Sequence, residues 1–133
     1  MKPQPKIIIV DDHALFREGI QLLIEREGMG EIIGEAENGR SFLDLLKTQN
    51  PDLVLMDIEM PLMDGLEATR LALAIKPDLK ILMFSMYYEQ EYYSAMINSG
   101  AMGFVMKTSG KQELEKAIRT VISGENYFQP GLY

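Results

Sequence analysis

The stretch Leu53-Val54-Leu55-Met56-Asp57-Ile58-Glu59-Met60-Pro61 decides how the chain is read. Four consecutive apolar residues make the pattern of a strand buried on both faces, and a lone carboxylate appears where the run stops, just before a turn marked by proline. Asp57 is thereby placed at the mouth of a sheet. Upstream the pattern recurs, with Ile7-Ile8-Ile9-Val10 running straight into Asp11-Asp12. Two buried parallel strands that end in acid at the same edge bring three carboxylates into one small volume. Such a concentration of negative charge is costly without a counter-ion, and a hard divalent cation such as Mg2+ is the usual one for an all-oxygen site.

Working outward, strands and helices alternate along the chain. A first strand over about 6–10 leads to a helix over about 13–27, with Leu15, Phe16, Ile20, Leu23 and Ile24 at helical spacing. Glu31–Ala36 reads as the second strand, and Asn38-Gly39 turns into a helix that faces Phe42, Leu45 and Leu46 inward. After the third strand, Asp64 with Glu67 forms a helix-start signature ahead of Ala68, Leu71, Ala72 and Ile75. Leu79 to Phe84 is a fourth strand ending at Ser85. It is followed by a helix over about 89–99, with Gly100 as its C-terminal glycine. Ala101 to Met106 is a fifth strand ending at Lys107. The last helix starts near Ser109, with Gln112 completing a capping pair, and carries Leu114, Ala117, Ile118, Val121 and Ile122 on one face.

Strict alternation implies an α/β fold, a doubly wound five-stranded parallel sheet with helices on both faces, because each parallel strand needs a right-handed crossover. The common order for five strands is 2-1-3-4-5, of flavodoxin type, which sets strands one and three side by side at the topological switch point. Those strands end in Asp11, Asp12 and Asp57. Ser85 and Lys107, at the ends of strands four and five, flank the same crevice.

Composition sets outer bounds. A chain of 133 residues forms one domain and buries about two-thirds of its unfolded surface. It has no cysteine, which excludes a disulfide framework, a thiolate metal site and a cysteine nucleophile, and fits a cytoplasmic location. No apolar run approaches a membrane span, so no membrane partner is expected. With 20 acidic and 13 basic residues the net charge is −7, a field that repels a phosphate backbone and makes this chain alone a poor binder of nucleic acid.

A carboxylate beside bound Mg2+ is a plausible nucleophile toward a phosphoryl group, since the metal offsets repulsion between anions and aligns the phosphoryl oxygens. Asp57 is the expected acceptor. Asp12 is the expected direct metal ligand and Asp11 a ligand through water, with the backbone carbonyl of Glu59 as a further oxygen. Lys107 is expected to pair with one phosphoryl oxygen and the Ser85 hydroxyl to donate to another.

Taken together, Asp11-Asp12, Asp57 followed by Met60-Pro61 and Asp64-Gly65, Ser85, and Gly103-Phe104-Val105-Met106-Lys107 resemble the response-regulator receiver domain of two-component signalling, the CheY-like fold, over essentially the whole chain. The resemblance implies that Asp57 takes a phosphoryl group from a histidine kinase in a Mg2+-dependent step. The domain would itself supply most of the catalysis of its phosphorylation and dephosphorylation, without being an enzyme in the ordinary sense. It further implies a switch in which Ser85 moves toward the phosphoryl group and Phe104 rotates inward, altering the face of helix four, strand five and helix five. Asp11-Asp12-His13-Ala14-Leu15-Phe16-Arg17-Glu18-Gly19 and the closing Glu113 to Pro130 are similar to the NarL/FixJ type of the LuxR family. Members of that type usually continue into a helix-turn-helix domain. Residues 1–125 are then the receiver and 126–133 the start of a linker, with DNA bound only through a domain outside this chain and a homodimer as the expected assembly. A free-standing receiver is the variant reading. Two departures stand out: Thr108 replaces the proline that often follows the lysine, and Phe104 lacks the hydroxyl of a switch tyrosine.

Simpler readings exist for each residue alone. Asp11 and Asp12 have the chemistry of helix caps, Lys107 of a solvated lysine, Ser85 of turn serine, and His13 of a local hydrogen-bonding surface residue. The tyrosines Tyr87, Tyr88, Tyr92 and Tyr93 divide between packing and an interaction surface. From another functional class, a Mg2+ phosphatase of the haloacid dehalogenase type also forms an aspartyl phosphate, but it needs an aspartate where this chain has Glu59. A flavin binder needs a phosphate loop after the first strand that is absent here.

Overall fold

A computed structural model describes residues 4–129. Its elements, in order, are β1 (Lys6–Val10), α1 (Ala14–Arg26), β2 (Glu31–Ala36), α2 (Gly39–Leu45), β3 (Leu53–Asp57), α3 (Gly65–Ile75), β4 (Ile81–Ser85), α4 (Gln90–Ser99), β5 (Gly103–Met106), α5 (Lys111–Ile122) and β6 (Tyr127–Phe128). All pairings are parallel and the sheet order is β2-β1-β3-β4-β5-β6. The expected order is therefore present, with one strand added. β6 comes from the stretch expected to open a linker; it pairs Tyr127 with Gly103 and Phe128 with Phe104.

The apolar runs of the central strands are buried on both faces because helices cover both. Ile8, Val10, Val54, Met56, Ile81, Met83 and Phe104 pack toward α2, α3 and α4, while Ile7, Ile9, Leu53, Leu55, Leu82, Phe84 and Val105 pack toward α1 and α5. A period of two sorts the site residues as well. Asp11, Asp57 and Lys107 continue the odd-numbered rows of β1, β3 and β5, on the α1 and α5 side.

Helix ends follow local chemistry. The Asp64 carboxylate accepts from Glu67 N at 2.8 Å, and Gly100 closes α4 in the left-handed region at φ 93°. The expected Ser109–Gln112 cap does not form. Gly110 is the N-cap of α5 with no side-chain cap bond, and the Ser109 hydroxyl donates instead to Gln129 Oε1 at 2.8 Å. Strands four and five start two residues later than expected, at Ile81 and Gly103. Two helical stripes are narrower than their sequences suggest: Leu15 is 85% exposed and Ile75 is also exposed. Both lie at helix ends where the stripe has rotated away from the sheet; Phe16, Ile20, Leu23 and Ile24 carry the packing of α1, and Leu66, Ala68, Thr69, Ala72 and Leu73 that of α3.

Candidate functional site

Three charged side chains expected together are in contact at the carboxyl edge of the sheet. Lys107 Nζ lies 2.7 Å from Asp11 Oδ2 and 3.3 Å from Asp57 Oδ2, and all three side chains are nearly inaccessible to solvent. The ammonium also sits 4.4 Å from the centroid of the Phe16 ring and 5.0 Å from that of Phe84, so aromatic faces line its apolar side. The Lys107 backbone N–H donates to Ser85 O at 2.9 Å, tying β5 to β4 at this edge. Burial pushes the Asp57 carboxyl up to about 6; Lys107 pulls it down and Asp11 adds a further push upward.

Asp11 is held from several sides. Its backbone N–H donates to Ala36 O at 3.0 Å, its Oδ1 accepts from His13 N at 2.8 Å, and its carbonyl accepts from Arg17 Nη1 at 2.6 Å. Arg17 also pairs through Nε with Glu35 Oε1 at 2.6 Å. It thereby fastens the loop after β1 to β2. In the sequence Arg17 is only one member of a family signature, and nothing in its spacing marks it as a half-buried tether.

His13 behaves as a surface residue, 68% exposed, with Nδ1 at 3.4 Å from Asp11 Oδ1 and 3.3 Å from Asp12 Oδ1. It is the N-cap of α1, so neither Asp11 nor Asp12 occupies that position. The simple capping account of the two acids therefore fails for Asp12. Asp12 Oδ1 is buried and has no hydrogen-bond partner among the described residues. Ligand atoms of Asp11, Asp12, His13 and Asp57 all lie within 4.8 Å of one another. An orphaned carboxylate oxygen in a cluster dominated by hard oxygen donors fits a divalent cation such as Mg2+.

A pocket of about 400 Å³ opens beside the cluster, lined by Asp12, Ile58, Glu59, Met60, Pro61, Asp64, Leu66 and Tyr92. The Glu59 carboxylate is exposed and accepts from the Tyr92 hydroxyl at 3.4 Å, while no described backbone N–H bonds its carbonyl. Ser85 is buried at the end of β4, where its Oγ accepts from Tyr87 N at 3.1 Å. That leaves the hydroxyl proton free to be donated elsewhere. Phe104 is already buried, with the Tyr88 ring tilted over it at 5.6 Å.

Residues 7–119 match the family described as the response regulator receiver domain. The chain belongs to that family. Receiver domains of this family act as phosphorylation-controlled switches, which removes the phosphatase and flavin alternatives. Among curated relatives, DegU of Brevibacillus brevis is 36% identical over 94% of this chain and GacA of Pseudomonas aeruginosa 39% identical over 94%. They are a transcriptional regulatory protein and a response regulator, and the chain spans 53% and 58% of their respective lengths. A LuxR-family two-component response regulator from Aurantimonas sp. SI85-9A1 superposes with a TM-score of 0.92 at 32% identity, covering 97% of this chain and 92% of that one. The signal receiver domain of NarL from Mycobacterium tuberculosis gives 0.87 at 31% identity, covering 93% and 100%. The receiver is thus of the LuxR and NarL type. Among its described residues no helix is long and apolar enough to cross a membrane.

Proposed function

We propose that Asp57 is the phosphoacceptor of this receiver and that Asp11, Asp12, Asp57 and the Glu59 carbonyl hold the Mg2+ that the reaction requires. The observation that carries the reading is the meeting of buried Asp57 with Lys107 at 3.3 Å beside the orphaned Asp12 oxygen. At neutral pH a carboxyl that titrates at about 6 is mainly ionised and can act as a nucleophile. An Asp57 oxygen forms the new bond to phosphorus as the bond from phosphorus to the donor's leaving group breaks, and the leaving group departs with that electron pair. Bound Mg2+ supplies charge neutralisation and alignment of the phosphoryl oxygens. Lys107 exchanges part of its contact with the carboxylates for a phosphoryl oxygen, and the Ser85 hydroxyl donates to another.

The added charge then favours the arrangement in which ammonium and hydroxyl both reach it, which is the differential interaction that a two-state switch requires. Ser85 and Phe104 lie on neighbouring strands and convey that change to the face of α4, β5 and α5. The domain catalyses this self-modification and its reversal, and takes the group from a histidine kinase. Residues 1–125 form the receiver, to whose body the bonds of β6 and Gln129 with β5 join the first part of 126–133, the stretch that leads into the linker. The whole protein is a cytoplasmic, homodimeric transcription regulator that meets DNA through a further domain; its relatives' names support that output.

The test is intact-mass spectrometry after incubation with acetyl phosphate, with and without Mg2+, on wild type and Asp57→Asn. A single phosphoryl adduct that needs both Mg2+ and Asp57 is expected. An adduct that persists in Asp57→Asn, or none on folded wild type, would overturn the assignment.

A further inference from the structure

The loop after Lys107 has few restraints of its own. Thr108 stands where many receivers carry proline, Gly110 begins α5 at φ 90° without a side-chain cap, and within the loop Ser109 N donates to Met106 O at 3.1 Å. The remaining anchors come from the far end of the chain. Gln129 Oε1 accepts from Met106 N at 2.8 Å and from the Ser109 hydroxyl at 2.8 Å, bracketing Lys107 and Thr108.

Strand geometry explains why this place needs an acceptor. In a parallel ladder, successive N–H groups point to opposite sides. Lys107 N turns to β4 and Ser85 O, whereas Met106 N turns outward to β6. Gln129 N donates to Phe104 O at 2.9 Å, so the next β5 donor that faces this side is Met106 N. The Gln129 side-chain carbonyl stands in for a backbone carbonyl at that rung. β6 itself is fastened by Tyr127 N to Met102 O at 2.8 Å, by the Tyr127 hydroxyl to Glu113, and by the Phe128 ring against Tyr93 at 5.6 Å.

We infer that Gln129 is a positioning residue for phosphoryl transfer: through Met106 N and Ser109 it fixes the end of β5 so that Lys107 stays aimed at Asp57. The inference rests on the phosphoacceptor reading of Asp57. It makes the segment beyond α5 part of the reaction machinery, acting through Lys107 without touching the phosphoryl group.

The test uses the full chain with acetyl phosphate as donor. Gln129→Met keeps the length and removes the acceptor; Gln129→Glu keeps acceptors for both donors. Expected for Gln129→Met is a fall in the phosphorylation rate of roughly tenfold to a hundredfold, the scale of an ångström-sized misplacement of a reacting group. Mg2+ affinity measured by calorimetry does not fall, because an ammonium drawn away from Asp11 and Asp57 only removes a competing cation from the metal-holding acids, and Gln129→Glu restores the rate. A wild-type rate for Gln129→Met overturns the inference. So does a loss of Mg2+ affinity in step with the rate, or a failure of Gln129→Glu to recover, since both would mark a general loosening. Wild type that takes up no phosphoryl group would overturn the reading of Asp57, and this inference with it.

Discussion

Lys107 and Asp57 are 3.3 Å apart at a site where the same ammonium is 2.7 Å from Asp11, so one buried cation serves two buried carboxylates. The nearer partner is Asp11, and Asp57 is left under-compensated. Burial is the main cause of its titration at about 6 instead of 3.8; Lys107 offsets only part of that, and Asp11 adds to it.

That shift makes stability depend on pH in a stated direction. A carboxyl with a raised folded pKa binds its proton more tightly folded than unfolded, so its contribution is present below about 3.8 and lost as pH rises through about 6. The shift corresponds to something on the order of 3 kcal/mol. Asp57→Asn removes the ionising group while Lys107 keeps Asp11. The variant should melt well above wild type at about pH 8, with the gap closing toward about pH 4. Thermal unfolding of both proteins across this range decides it; parallel curves would exclude the electrostatic origin.

Leu62 is the one described non-glycine residue with a positive φ, 72°, and its side chain is 88% exposed. It lies in the loop between β3 and α3 that carries Met60 and Pro61. Because no packing is lost on truncation, Leu62→Gly should raise stability by about 1 kcal/mol, the scale of the left-handed penalty for a residue with a Cβ. Leu62→Asn should recover part of this without glycine's extra chain entropy. Urea midpoints measure both, and a lower midpoint for Leu62→Gly would refute the strain argument.

The parts of this molecule legible in its sequence are those where pattern and chemistry coincide. Apolar runs ending in Asp11, Asp57, Ser85 and Lys107 mark both strand and strand end, and alternation brings those ends to one edge. The features that were not legible depend on register or on distant partners. Tyr127–Phe128 is too short to carry a period, and Gln129 acquires a role only once β6 lies beside β5. Arg17 looks like any charged residue of a helix until its guanidinium is seen on Asp11 O and Glu35. Ser109 has the sequence of a cap, yet Gly110 takes the N-cap position and the Ser109 hydroxyl donates to Gln129.

Tyr88 supplies the hydroxyl that Phe104 lacks, but in a poor place for it. The Tyr88 hydroxyl oxygen is buried without a partner among the described residues while its ring packs on Phe104. A buried, unbonded hydroxyl carries a desolvation cost, so Tyr88→Phe should stabilise the protein by about 1 kcal/mol with the ring contact retained. Chemical denaturation gives the value. Destabilisation would show that the hydroxyl makes a bond in solution.

Gly65 and Gly19 should respond to the same substitution with opposite signs. Gly65 N donates to Ile58 O at 2.7 Å, and a Cβ built on Gly65 would meet the Asp57 carbonyl oxygen at 2.0 Å and Ile58 Cα at 3.0 Å. Both obstacles are backbone at the end of β3, so relief requires α3 or β3 to move. Gly65→Ala should therefore destabilise by the upper part of the roughly 1–3 kcal/mol range for overpacking, and slow phosphorylation by displacing Asp57. A Cβ on Gly19, inside α1 and exposed, would meet nothing within 4 Å. Gly19→Ala should stabilise by about 1 kcal/mol through helix propensity, with phosphorylation unchanged. Denaturant midpoints and acetyl phosphate kinetics on the two variants test the pair. Equal effects would mean that the close approach of α3 to Asp57 does not constrain the site.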